Sequence, residues 1–227
     1  QLAWGTSGSG NGQFLNGAGG VAVDSAGNVY VTDLGNHRIE KFTSGGSFIM
    51  SWGSSGTGNG QFSGPEGIAI DTTDNIYVAD TGNHRVQKFN TSGTFVTKWG
   101  TLGTADGQFD TPWGVSTDGI GDVYVADTNN NRIQRFSPTG TFISSCGTSG
   151  TGNGEFAGPQ DVGADTAGNY YVADTGNDRV QKFGVAGAAP IANAGADQTV
   201  ECGGATTSIT LDGTANRPAE LILFQRL

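Results

Sequence analysis

The chain has few of the residues that build cofactor, metal and disulfide sites: of its 227 residues one is Met, two are Cys, two are His and six are Pro. Two cysteines, Cys146 and Cys202, cannot form a disulfide framework and have no metal-ligand spacing, so both are expected as free thiols. No run approaches the roughly 18 apolar residues that a membrane helix needs, so membrane insertion is not expected. Basic residues are sparse too. Lys and Arg number 11 against 21 Asp and Glu, a net charge of -10, and they are spread at intervals, so no face is offered to phosphates and nucleic acid is not an expected partner. No window keeps a 3.6-residue period between helix caps, which excludes a helical fold. The first residue is Gln1, with no signal peptide behind it, and processing or truncation is expected to have removed the start.

Glycine is abundant, with 40 copies, and it is regularly placed. The segment YVADTGNHRVQKF at 77–89 returns as YVTDLGNHRIEKF at 30–42, YVADTNNNRIQRF at 124–136 and YVADTGNDRVQKF at 171–183. Asp33, Asp80, Asp127 and Asp174 are 47 residues apart, as are Arg38, Arg85, Arg132 and Arg179. A fixed period of this length is the mark of a repeat architecture. Trp4, Trp52, Trp99 and Cys146 nearly keep it, the first unit carrying one inserted residue before Val21. Within a unit, four short runs alternate in polarity between turn residues: GIAID at 67–71, NIYVAD at 75–80, RVQKF at 85–89 and TFVTKW at 94–99. Four-stranded antiparallel units of this period pack face to face as the blades of a propeller.

The unit GIAIDTTDNIYVADTGNHRVQKFNTSGTFVTKWG resembles the NHL repeat, whose signature corresponds here to Asn36 to Arg38 and Asn83 to Arg85; the third and fourth units carry Asn131 and Asp178 in place of His. The resemblance implies an all-β fold, a β-propeller, commonly of six blades in that family. The expected layout is a propeller over 1–187 with blades at about 19–52, 67–99, 114–146 and 161–183. The N-terminal strand 1–5 either closes the ring on the last blade or marks an arc of a larger ring with more blades upstream. From about 188 the stretch APIANAGADQTVECGGATTSITLDGTA resembles the opening of a PKD-type domain, an immunoglobulin-like sandwich. ANRPAELILFQRL then replaces its expected later strands, so 188–227 is expected to be a truncated, incomplete sandwich.

Charged groups present in all four units, such as Asp33 with Arg38, are explained by what all blades share, and are expected to satisfy turn backbone and to pair. His37 and His84 fall short of the three protein ligands of a catalytic zinc site, so no metal or other cofactor is expected. The glycine-rich loops GSSGTGNGQF at 53–62 and GTSGTGNGEF at 147–156 lack the Lys-Ser/Thr pair and the following helix that hold phosphate, and are expected to be flexible connectors. No nucleophile elbow or Cys/His dyad occurs.

One slot varies. Before the innermost strand stand Gly19, Glu66, Trp113 and Gln160, with Asp161 in place of the glycine that follows in the other units. In propellers similar to this one, the peptidyl-amidoglycolate lyases, a Pro-His-Gly version of this position holds a metal. Here the text is AGG, PEG, PWG and PQD, and that chemistry does not carry over. A carboxylate, an indole and an amide at a channel mouth suit a polar ligand. The expected ligand-binding set is therefore Glu66, Trp113, Gln160 and Asp161. The expected function is a noncatalytic binding propeller of a secreted or cell-surface prokaryotic protein, recognising a protein, peptide or glycan. The alternative is a channel-mouth lyase or hydrolase using Glu66 and Asp161 as acid and base. RNA binding, as in some animal NHL proteins, is opposed by the 9 Lys and Arg against 17 Asp and Glu within 1–187.

Overall fold

A computed structural model describes residues 2–184 and 200–201 of the chain. Four antiparallel sheets stand as successive sectors of a propeller. Blade 1 holds Ala18–Val23, Val29–Asp33, Arg38–Phe42 and Phe48–Trp52; blade 2 holds Pro65–Ile70, Ile76–Asp80, Arg85–Phe89 and Phe95–Trp99. Blade 3 holds Pro112–Thr117, Val123–Asp127, Arg132–Phe136 and Phe142–Cys146; blade 4 holds Pro159–Ala164, Tyr170–Asp174 and Arg179–Gly184. In each sheet the first strand lies innermost, and the inner strands of blades 1 and 2, 2 and 3, and 3 and 4 pack on one another. Extended contact of this kind does not join the inner strands of blades 4 and 1.

The alternating pattern explains this packing, because side chains of successive strand residues point to opposite faces of the sheet. One face of blade 2 presents Ile68, Ile76, Val78 and Phe89 to Tyr30 and Ile39 of blade 1. Its other face presents Tyr77, Ala79 and Val86 to Val115, Val123, Val125 and Phe136 of blade 3. The same joint recurs between blades 3 and 4. The core is thus divided among three joints, each using the same repeated positions. Full burial of one Val, Ile or Phe side chain contributes about 1.5–3 kcal/mol.

The turn after the second strand explains the histidine slot. Thr81–Asn83, Thr128–Asn130 and Thr175–Asn177 form single 3-10 turns, each ending on a left-handed residue: His84 at φ 52°, Asn131 at 53° and Asp178 at 53°. Asn and Asp adopt this region more readily than other non-glycine residues, and His is enriched there as well, so the substitutions keep the backbone. The side chain has a further use. His37 Nδ1 accepts a hydrogen bond from the Gly64 amide at 2.9 Å, His84 Nδ1 from Thr111 at 3.1 Å, and Asn131 Oδ1 from Gly158 at 2.8 Å. Each bond ties a blade to the loop that enters the next.

Three expectations are corrected. The inner strands begin earlier than 67, 114 and 161, at Pro65, Pro112 and Pro159, because the proline opposes the last Asp of the second strand and a bulge follows. Residues 2–5 form no strand and do not pair with blade 4; Trp4 packs on Phe42 of blade 1, with ring centroids 6.0 Å apart. Blade 4 instead has Val200–Glu201 beside its third strand, running parallel with Phe183 opposite Val200. Cys146 is not a free thiol but is disulfide-bonded. Lying at the end of the outermost strand of blade 3, it is open to a covalent partner as the interior strands are not. The PKD-like reading of 188–227, including Cys202, falls outside the described residues apart from Val200–Glu201.

Candidate functional site

The repeated residues position the variable ones. Asp80, fully buried at the end of the second strand, accepts hydrogen bonds from the Ser63 amide at 2.8 Å, Asn83 Nδ2 at 2.9 Å, Arg85 Nε at 2.7 Å and Gln87 Nε2 at 3.0 Å. Ser63 lies just before the inner strand, so the carboxylate fixes how the chain enters it. Asp127 and Asp174 do the same through the amides of Asp110 at 2.7 Å and Ala157 at 2.8 Å, and Asp33 through Leu15 at 3.0 Å.

Arg85 carries the clamp outward. Its Nη1 donates to the Thr57 carbonyl at 2.6 Å and its Nη2 to those of Gly58 and Gln61, both at 2.8 Å. Arg179 repeats this on Thr151, Gly152 and Glu155. The glycine-rich loops expected to be flexible connectors are therefore pinned. Their glycines serve geometry: Gly56 at φ 148° and Gly60 at φ 73° turn the backbone so that its carbonyls face the guanidinium.

Past this clamp each blade presents its slot residue as the second residue of the inner strand, inside the strand and not before it. Gly19, Glu66, Trp113 and Gln160 occupy the same register of four consecutive inner strands. Their backbones are pressed together around the axis. A Cβ added at Gly67 would lie 2.4 Å from the Trp113 carbonyl oxygen, and one at Gly20 would lie 2.9 Å from that of Glu66. This is why glycine follows the slot in blades 1 to 3. Blade 4 faces no further inner strand and carries Asp161 there instead.

Glu66, Trp113 and Gln160 are half-buried and Asp161 is exposed. Burial raises the Glu66 carboxyl above the ordinary glutamate value. Desolvation by the surrounding protein raises Asp161 as well, partly offset by the Val162 amide that donates to its Oδ1 at 2.9 Å; its access to solvent further weakens the effect. Both carboxyls move in the same direction. An acid and base pair needs environments that push the two values apart, and the residues stand two blades from each other, so the geometry offers no such division of labour. Among the described residues no group of three or more His, Cys, Asp and Glu could hold a metal ion.

Because burial disfavours the charged form of Glu66, its folded value lies above the unfolded one and ionisation costs stability at neutral pH. Glu66→Gln is expected to raise the melting temperature at pH 7. The gain should shrink as pH falls through the raised value and vanish below the ordinary glutamate value. Melts of both proteins from pH 3 to pH 8 measure this.

The carboxylates at the opposite end of the blades are consumed by turns. Asp71 accepts the amides of Thr73 at 2.9 Å and Asn75 at 3.0 Å and the hydroxyl of Tyr77 at 2.9 Å. Its carboxyl is held below the ordinary value: burial alone would raise it, but the hydrogen bonds from Asn75, Thr73 and Tyr77 outweigh that effect. Lys88 lies 5.0 Å above the Tyr77 ring. These groups stabilise the turn.

The NHL repeat model matches the chain four times, over 15–42, 62–89, 109–136 and 156–183. The chain is an NHL-repeat propeller. A search of the curated proteins finds no match. Among solved structures this NHL propeller is similar to a streptogramin B lyase (18% identity, TM-score 0.57), over 72% of this chain and 50% of the lyase. It is also similar to a catalytically inactive virginiamycin B lyase from Staphylococcus aureus, with quinupristin (17% identity, TM-score 0.57), over 73% and 51% of the two chains. The RRP9 WD40 repeats give 11% identity and a TM-score of 0.55 over 74% and 52%. At these identities the likeness is one of fold alone, shared by enzymes and by WD40 propellers. The NHL chain spans about half the length of these structures.

Proposed function

We propose that this NHL propeller is a noncatalytic binding module of a secreted or cell-surface prokaryotic protein, taking a protein, peptide or glycan at the end of the channel where the slot residues lie. One observation carries the reading: in blades whose clamp and joint residues largely repeat, the channel-end slot changes chemical class each time, from glycine to carboxylate, indole and amide. Structural demands common to all blades would repeat; a ligand that meets each blade differently selects different side chains. Trp113 supplies apolar area with one polar group, Glu66 and Asp161 supply acceptors, and Gln160 both donates and accepts. The net charge of the propeller opposes nucleic acid as the ligand, and no helix among the described residues is long and apolar enough to cross a membrane. The extracellular placement draws on the PKD-like text after 188 and on the disulfide at Cys146, a bond that persists in oxidising compartments.

Binding to peptide and glycan arrays, followed by calorimetry on the best hit, tests the proposal. Trp113→Ala is expected to weaken binding by about 2 kcal/mol, about thirtyfold, with little change in melting temperature. Ligands whose affinity ignores both Trp113→Ala and Glu66→Gln would place recognition elsewhere, and turnover of the bound compound would replace the binding reading with an enzymatic one.

A further inference from the structure

Positions that repeat through the blades are buried at every joint inside the chain and bare at its two ends. Tyr77 and Val86 of blade 2, covered by blade 3, are 0% exposed, whereas their counterparts in blade 4, Tyr171 and Val180, are 40% and 70% exposed. On the opposite face, Ile68 is 6% and Val162 3% exposed, whereas the blade 1 counterpart, Val21, is 65% exposed. The hydrogen bonds across the joints leave the same remainder. His37, His84 and Asn131 each accept an amide of the next blade's loop. Their fourth counterpart, Asp178, has no next blade. The amide left over is that of Asn16, which sits at φ 57° like its counterpart Gly64. The two bare faces are therefore the two halves of one joint that the chain makes three times internally.

The tryptophans point the same way. Trp52 closes the outer strand of blade 1 and packs on Phe89 of blade 2 at 5.8 Å, and Trp99 closes blade 2 and packs on Phe136 of blade 3 at 5.7 Å. Trp4 packs on Phe42 of blade 1 at 6.0 Å. It thus holds the place of the outer-strand tryptophan of a blade standing before blade 1. Among the described residues blade 4 has no such strand, and Val200–Glu201 lies beside Phe183 and Gly184.

We propose that two copies of this chain assemble head to tail, the bare face of blade 4 of each copy docking on the bare face of blade 1 of the other, into one closed ring of eight blades. Eight blades is within the range of known propellers. Both joints of such a ring are identical, so the assembly closes without leaving a face to grow from. Since Trp52 lies opposite Ile39 and Trp99 opposite Val86, Trp4 of one copy falls opposite Val180 of the other, and its segment completes the partner's fourth blade. Asp161, the one departure from glycine beside the slot, falls opposite Gly19, the one slot residue without a side chain.

Light scattering of the full chain behind a sizing column tests the ring. The expected mass is twice the 23.2 kDa of the chain. Val21→Asp and Val180→Asp each place a charge in both joints of the homodimer and are expected to yield monomers with unchanged circular dichroism, since both residues are exposed within one copy. A one-to-one mixture of the two variants leaves one joint unmodified and should recover a dimer. A monomeric unsubstituted chain would overturn the proposal, as would a dimer indifferent to both variants. Loss of the dimer with Val180→Asp but not Val21→Asp would mean that like faces pair, and species larger than a dimer would mean that the ring does not close. Either result rejects this assembly.

Discussion

Asp80→Ala is expected to lower stability by about 3–5 kcal/mol, a fall in melting temperature of about 6–20 °C for a chain of this size, read by thermal or urea unfolding. The carboxylate and Arg85 are both buried, and removing one partner leaves the guanidinium desolvated without its counter-charge. The loss spreads further. Asn83, Gln87 and the Ser63 amide all donate to the same carboxylate, and unsatisfied buried donors each add cost. Asp174→Ala is expected to cost less, because Arg179 is 28% exposed at its side chain against 7% for Arg85, and water can take over part of the solvation. Removing both partners in Asp80→Ala/Arg85→Ala should cost less than the sum of the single changes. The double variant still frees the carbonyls of Thr57, Gly58 and Gln61, so it should not recover full stability. Equal costs at blades 2 and 4 would refute the burial argument.

The repeat made these clamps legible in the sequence as structure and not as chemistry, since a group needed once per blade appears once per blade. The propeller followed from the same reasoning, because period, alternation and turn residues all agree on four-stranded sheets. What the sequence concealed depends on three-dimensional neighbours. A proline before the slot looks like a strand break, yet Pro65 begins the inner strand at a bulge where the missing N–H is tolerated. The loops rich in Gly and Ser look mobile by composition, but an arginine almost 30 residues further on, such as Arg85 for Thr57, holds their carbonyls. Cys146 looks inert because the spacing of the cysteines carries no signal of the bond it forms. The slot itself was found by its variation, a signal available only because the other positions repeat.

Phe89→Ala is expected to cost about 3–5 kcal/mol. The ring is fully buried in the joint between blades 1 and 2, with Trp52 at 5.8 Å, Phe62 at 5.6 Å and Phe95 at 6.1 Å around it. Those neighbours belong to two blades and to the loop between them, and rigid sheets cannot collapse into the void. Phe42→Ala removes the same ring from blade 1 and should cost less in a single copy, because Trp4 beside it is there 38% exposed and belongs to a segment without strand pairing, which can relax; in the closed ring the two costs should match. Repeat proteins fold through contacts between neighbours, so the site of the loss matters as well as its size. If the blades unfold as one unit, Phe89→Ala lowers the urea midpoint and leaves the slope unchanged. If the joint between blades 1 and 2 is a separable unit, the slope falls and two transitions appear. A cost for Phe42→Ala as large as for Phe89→Ala in this chain would show that the bare face of blade 1 is covered in solution.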